Sequence, residues 1–186
     1  MLLVVGCTGL GGSKYVPLPR DLQFEAFKKD SGFDVNENDG YVFGSITYNK
    51  DTHYIKEIGI TLKSESNTAY AYISRARKYS YIDIINSTTN TGIFLIRVPK
   101  GRYGVAGSFV SIGNEYSTRE NENFPSIDVK EKGLHYLGNF EFEFRNYDRK
   151  KHSSESRVVH NGVKYISRDL DKVKDKYKWM MKLIQI

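Results

Sequence analysis

GLHYLGNFEFEFR, residues 133–145, is the stretch whose reading decides the fold. Phe140, Phe142 and Phe144 alternate with Glu141, Glu143 and Arg145, the period of two that puts one set on an apolar face and the other in water. It predicts a half-buried strand. Upstream, GYVFGSITYN (40–49), HYIKEIGITLKS (53–64), TAYAYISR (68–75), SYIDIIN (80–86), TGIFLIRV (91–98), RYGVAGSFVSI (102–112) and PSIDVK (125–130) are rich in Tyr, Ile, Val and Thr and parted by short polar turns. Eight strands at this spacing, with no helix between them, predict an antiparallel β-sandwich or barrel of mainly β class. Parallel α/β is excluded, because its crossovers need about a dozen residues. The stretch 113–123 is too polar to join this series and reads as a long loop.

Past Arg145 the texture changes. NYDRKKHSSES (146–156) reads as a linker or exposed loop, and Asn161-Gly162 between apolar flanks as a hairpin turn. Ser167-Arg168-Asp169 then opens an amphipathic helix over about 168–184, with Leu170, Val173, Tyr177, Met180, Met181 and Ile184 on one stripe. That stripe is expected to lie on the sandwich or to close one open end of it. Charge follows the same division. Residues 1–144 carry 16 Lys and Arg against 17 Asp and Glu, whereas residues 145–186 carry 12 against 5. The net +6 therefore belongs to the C-terminal extension.

The opening MLLVVGCTGLGG admits three readings. Gly6, Gly9 and Gly11 after an apolar run imitate a dinucleotide fingerprint, but that motif needs a helix to begin at once, and Pro17 and Pro19 prevent one. Val4-Val5-Gly6-Cys7 resembles the bacterial lipobox, whose thiol accepts diacylglycerol after small residues have let a peptidase reach the bond. Residues 1–6 are then the remnant of a signal peptide whose true start lies upstream, and 7–39 a tether and docking segment. The bland alternative is an incidental cysteine. As the single cysteine of the chain, Cys7 allows neither an internal disulfide nor a multi-cysteine metal site.

Catalytic and metal motifs are scarce. Asp34 to Gly40 imitates a calcium loop, but its glycine comes one place late and Ser45 stands where a bidentate carboxylate is required. His53, His135, His152 and His160 fall at no ligand spacing. No nucleophile elbow is present, and Cys7 has no basic neighbour in sequence. No catalytic residue, metal or cofactor is therefore expected. Nucleic acid is not expected as a partner either, the body being near neutral and without a recognition motif. The lysines of the last helix, Lys172, Lys174, Lys176, Lys178 and Lys182, read first as a solvated face and alternatively as a surface for anionic lipid headgroups.

Three pieces recur together in a known group: GYVFGSITY (40–48), GIFLIRVPKGRYGV (92–105) and LHYLGNFEFEF (134–144). In this order they resemble uncharacterised Gram-negative envelope lipoproteins with a transthyretin-like sandwich, related in shape to carboxypeptidase regulatory domains. The resemblance implies that fold over 40–145, followed by a basic extension over 146–186. It further implies acyl chains on Cys7 and a place in the cell envelope, facing the periplasm or at the outer membrane. It brings no catalytic residues. The expected role is non-catalytic binding or scaffolding, with the membrane and another envelope protein as partners. The expected contact surface is Tyr116 and Arg119 of the polar loop with Lys172, Lys176, Lys178 and Lys182 of the helix. The alternatives are a soluble β-sandwich that binds a small ligand or carbohydrate and, less favoured, a hydrolase.

Overall fold

The computed structural model describes residues 39–49, 55–74, 81–84, 89–112, 115–120, 124–148 and 153–176. Cys7, nearly all of the 7–39 segment, Lys178, Lys182 and the helix stripe past Lys176 lie outside the described residues. In chain order the elements are β1 (Asp39–Asn49), β2 (Ile55–Lys63), β3 (Thr68–Ser74), β4 (Tyr81–Ile84), β5 (Thr89–Pro99), β6 (Gly101–Ile112), β7 (Glu115–Glu120), β8 (Ser126–Val129), β9 (Leu134–Asp148), β10 (Ser153–His160) and α1 (Ile166–Lys176).

The chain is mainly β, with two sheets whose facing sides share one core. One sheet runs β10-β9-β1-β5-β4; the other runs β3-β2-β6-β7, with β8 also paired to β6. Strand alternation fills the space between them. Val42 and Ile46 from β1, Phe94 and Ile96 from β5, and Phe140 and Phe142 from β9 meet Ile58, Ile60 and Leu62 of β2, Ile73 of β3 and Val110 of β6. The phenylalanine alternation of 140–144 thus points into this core as expected, with Phe144 packed at its margin.

Residues of opposite parity build a second cluster on the far side of the β10-β9-β1-β5-β4 sheet. Tyr41 and Phe43 of β1 and Ile93 and Leu95 of β5 lie under Val173 of α1, with Leu134, Tyr136 and Leu170 against them. The described part of the stripe, Leu170 and Val173, therefore lies flat on a sheet face and does not plug an end. The result is three layers: helix, the β10-β9-β1-β5-β4 sheet, and the second sheet. β1 is covered on both sides, which is why all but the last of its residues are buried.

The sandwich is not purely antiparallel. β1 pairs antiparallel with β5 but parallel with β9. The register passes from Phe43↔Tyr136 to Gly44↔Gly138, leaving Leu137 as the extra residue of a bulge. Gly138 sits at φ +118°, and a Cβ there would collide with the His160 ring. Gly138→Ala is expected to cost about 2 kcal/mol through strain and that collision. Urea unfolding checks this; an unchanged midpoint would mean the bulge yields freely.

Three further expectations are corrected. The polar stretch 113–123 contains β7, an edge strand on β6. Its sequence EYSTRE hides this because an edge strand needs few apolar residues, and charges there discourage pairing with other chains. Asn161-Gly162 does not turn a hairpin but hands β10 over to α1, which starts at Ile166, two residues earlier than expected. The residues after that turn, Val163 and Ile166, are exposed and have no sheet to join, whereas Leu170 and Val173 at helical spacing have an apolar face to cover. The stretch 146–156 is not simply a linker: β9 runs on to Asp148 and β10 begins at Ser153, pairing back antiparallel as the outer strand beside β9, because an outer strand can be as polar as a loop.

Candidate functional site

Two groups of side chains stand out, one on each side of the molecule. The first lies beneath the start of α1. On β1, Tyr41 and Phe43 share the helix-facing side with Ser45 and Thr47, so that face changes from apolar to polar along one strand. Parallel pairing brings Asn139 of β9 opposite Ser45, and antiparallel pairing brings Thr91 of β5 opposite Thr47. Asp169, in the first turns of α1, reaches down into this polar patch.

Asp169 is fully buried and its carboxylate is surrounded by donors. Ser45 Oγ donates to Oδ2 at 2.6 Å and Tyr136 Oη donates to the same oxygen at 2.8 Å. Arg168 Nε donates to Oδ1 at 2.8 Å, while its Nη2 lies 2.7 Å from Oδ1 and donates to Ser45 Oγ at 3.0 Å. Asn139 Nδ2 donates to Ser45 Oγ at 2.8 Å and to Thr47 Oγ1 at 3.0 Å. Thr47 and Thr91 hydroxyls meet at 2.8 Å. Asn161 closes the chain, its Nδ2 donating to Asn139 Oδ1 at 2.8 Å and to Glu141 Oε2 at 3.2 Å. Burial, and then the Asp169 carboxylate that accepts its proton, push the Tyr136 phenol far above its ordinary range.

The chemistry of this cluster is that of a clasp. Ser45 and Asn139 are fully buried, and the Ser45 hydroxyl both donates to Asp169 and accepts from Asn139 and Arg168. The satisfied network fixes the angle and register of α1 on the sheet, and an apolar contact alone would not. Asp169 was legible only as the opener of a helix, and the partners that give it meaning lie up to 124 residues away.

The second group lies on the outer face of the other sheet. Phe109 of β6 stands opposite Gly59 of β2, whose missing side chain makes room for the ring. Around it are Tyr70 and Tyr72 of β3, with ring centroids at 6.1 and 6.4 Å, and Tyr116 of β7 at 5.7 Å. Phe109 is buried beneath this strip, while Tyr116 is 40% exposed.

The expected contact residues are thus distributed over both sides. Tyr116 lies in the aromatic strip. Arg119 is exposed on the same strand, but alternation turns it to the other face of β7. Lys172 is half-buried on α1, across both sheets from Tyr116; Lys176 ends α1, and its side chain lies outside the description. Among the described residues no group of three or more His, Cys, Asp or Glu is gathered as metal ligands, and no helix is long and apolar enough to cross a membrane.

No family model matches the sequence, and no curated protein matches it. Among solved structures, a leucine-rich repeat protein from Bacteroides thetaiotaomicron is similar at 15% identity and a TM-score of 0.36, over 56% of this chain and 14% of that one. The chain therefore spans a small part of that protein's length, and a likeness this low transfers neither fold nor function.

Proposed function

We propose that the protein is a non-catalytic module of the bacterial envelope, lipid-anchored through Cys7, whose β-sandwich of transthyretin-like type presents a binding surface to a partner. The aromatic strip carries the binding half of this reading. Tyrosines around a buried phenylalanine on an open sheet face combine large apolar area with polar rims, the composition enriched at recognition surfaces. The clasp fits the same reading, since its hydroxyl, amide and carboxylate are spent on each other. The lipobox-like Val4-Val5-Gly6-Cys7 and the three quoted sequence pieces support the anchored half.

Tyr116→Ala and Tyr72→Ala are expected to weaken capture of the partner by in-cell crosslinking at least tenfold, the loss of about 1.4 kcal/mol or more typical of an aromatic contact residue. Capture unchanged in both variants would remove the strip from the binding surface. The anchor is tested by the mass of the N-terminal peptide from natively expressed protein. An acylated Cys7 as first residue is expected; a free thiol preceded by Met1 would place the protein elsewhere. The second reading, a carbohydrate-binding module, is favoured by the same rings, because tyrosine faces stack on sugar rings and their hydroxyls can bond to sugar hydroxyls. Glycan retardation that disappears with Tyr116→Ala would select it.

A further inference from the structure

The turn between β10 and α1 holds its apolar side chains out into water. Val163 is 71% exposed and Ile166 38%, and with Tyr116 they are the large hydrophobic residues exposed among those described. The turn is firmly built. Asn161 N donates to Asn139 O at 2.9 Å, and Asn161 Nδ2 is tied to Asn139 and Glu141. Lys164 N donates to Asn161 O at 3.3 Å and Ile166 N to Val163 O at 3.1 Å. Gly162 takes the left-handed φ of +53° that the reversal needs. Tyr165 sits beside these residues with two cations over its ring, Lys164 Nζ at 5.1 Å and Arg168 Cζ at 4.4 Å from the centroid. From 156 to 168 the chain carries Arg157, Lys164 and Arg168, with Glu155 and Asp169 at its two ends and Arg168 paired to Asp169.

We infer that this turn is a contact point for an anionic lipid bilayer, with Val163 and Ile166 entering the headgroup boundary and Lys164 meeting lipid phosphates. The inference rests on the envelope reading above and adds a second, non-covalent contact to the acyl chains on Cys7. Charge complementarity selects the occupant. Arg168 is held by Asp169, so Lys164 is the cation available beside Val163, Ile166 and Tyr165. Exposed aliphatic side chains next to a lysine and a tyrosine, in an extension with 12 Lys and Arg against 5 Asp and Glu, match the interface between hydrocarbon and headgroups, where apolar burial and attraction to anionic lipid act together. A protein partner suits the turn less well, since two aliphatic side chains are far below the roughly 1,200 Å² that a specific interface buries.

The test uses the full chain carrying Cys7→Ser, so that acylation plays no part, and co-sedimentation with vesicles of phosphatidylcholine alone or with one quarter phosphatidylglycerol. Binding to the anionic vesicles and not to the neutral ones is expected. The double variant Val163→Ser/Ile166→Ser is expected to lower the bound fraction at least about fivefold, and Lys164→Gln about fivefold. All three positions are exposed, so the variants are expected to melt with the parent. Failure of the parent to bind anionic vesicles, equal binding to both kinds, or undiminished binding by both variants would overturn the inference. A free Cys7 thiol in the native protein would instead sink the covalent anchor and leave the vesicle result standing.

Discussion

Replacing Asp169 with alanine is expected to remove about 3–5 kcal/mol of stability, the range for breaking a buried charged network by deleting one partner. The change leaves Arg168 without its carboxylate and strips acceptors from the Ser45 and Tyr136 hydroxyls. Asp169→Asn keeps the shape and one acceptor oxygen, and its expected cost is smaller, about 1–3 kcal/mol. Urea unfolding of the two variants measures both values, with an unchanged slope indicating that the folded core is intact. Amide exchange should locate the damage, with α1 losing protection before the sheets do. A loss below about 1 kcal/mol for Asp169→Ala would mean that the apolar contacts of Leu170 and Val173, not the clasp, seat the helix.

The second large effect is expected at alkaline pH. Burial raises the Tyr41, Tyr103 and Tyr136 phenols above the ordinary value of 10.0, and at Tyr136 the neighbouring Asp169 adds to it. In the unfolded chain all three ionise near that ordinary value; in the folded protein they hold their protons to higher pH. The stability they contribute is therefore complete below pH 10 and is lost as pH rises from there toward the folded values. Tyr136, the most strongly shifted of the three, contributes a slope of up to about 1.4 kcal/mol per pH unit, and Tyr41 and Tyr103 add to it in the same direction. Denaturant midpoints across this range measure the slope, and Tyr136→Phe is expected to reduce it by about one tyrosine's share. A midpoint that stays level well above pH 10 would contradict the burial of these hydroxyls.

Much of the sheet structure was legible because strands announce themselves locally. The alternation at 140–144, the β-branched and aromatic runs, and the turn at Pro99-Lys100-Gly101 are readable within a few residues. What stayed hidden is non-local. The parallel pairing of β1 with β9 depends on which strands become neighbours, and a run such as GYVFGSITYN does not record its partner. β7 was missed because pairing on one side only demands little of its side chains. Of the aromatic strip, Tyr116 was picked out for its place in a polar stretch. Its packing on Phe109, with Tyr70 and Tyr72 beyond, requires the cross-strand register. The clasp was hidden most completely: Ser45, Asn139 and Asp169 are ordinary surface types in sequence, and three separate elements must be in place before they meet.

The parallel β1–β9 ladder also governs the order in which the fold can assemble. Tyr41 waits for Leu134, and Ser45 waits for Asn139 and then Asp169. Hairpin partners such as β2 and β3 can close as soon as they are made, but β1, the central strand of its sheet, has no neighbour on one side until most of the chain exists. Closing loops of that length before any contact repays the entropy is slow, and folding in milliseconds to seconds is the corresponding range for β-rich topologies. A growing or translocating chain would therefore hold β1, with Val42, Phe43 and Ile46, uncovered on one edge until β9 arrives. That interval is the point in the protein's life at which it most needs either speed or a chaperone.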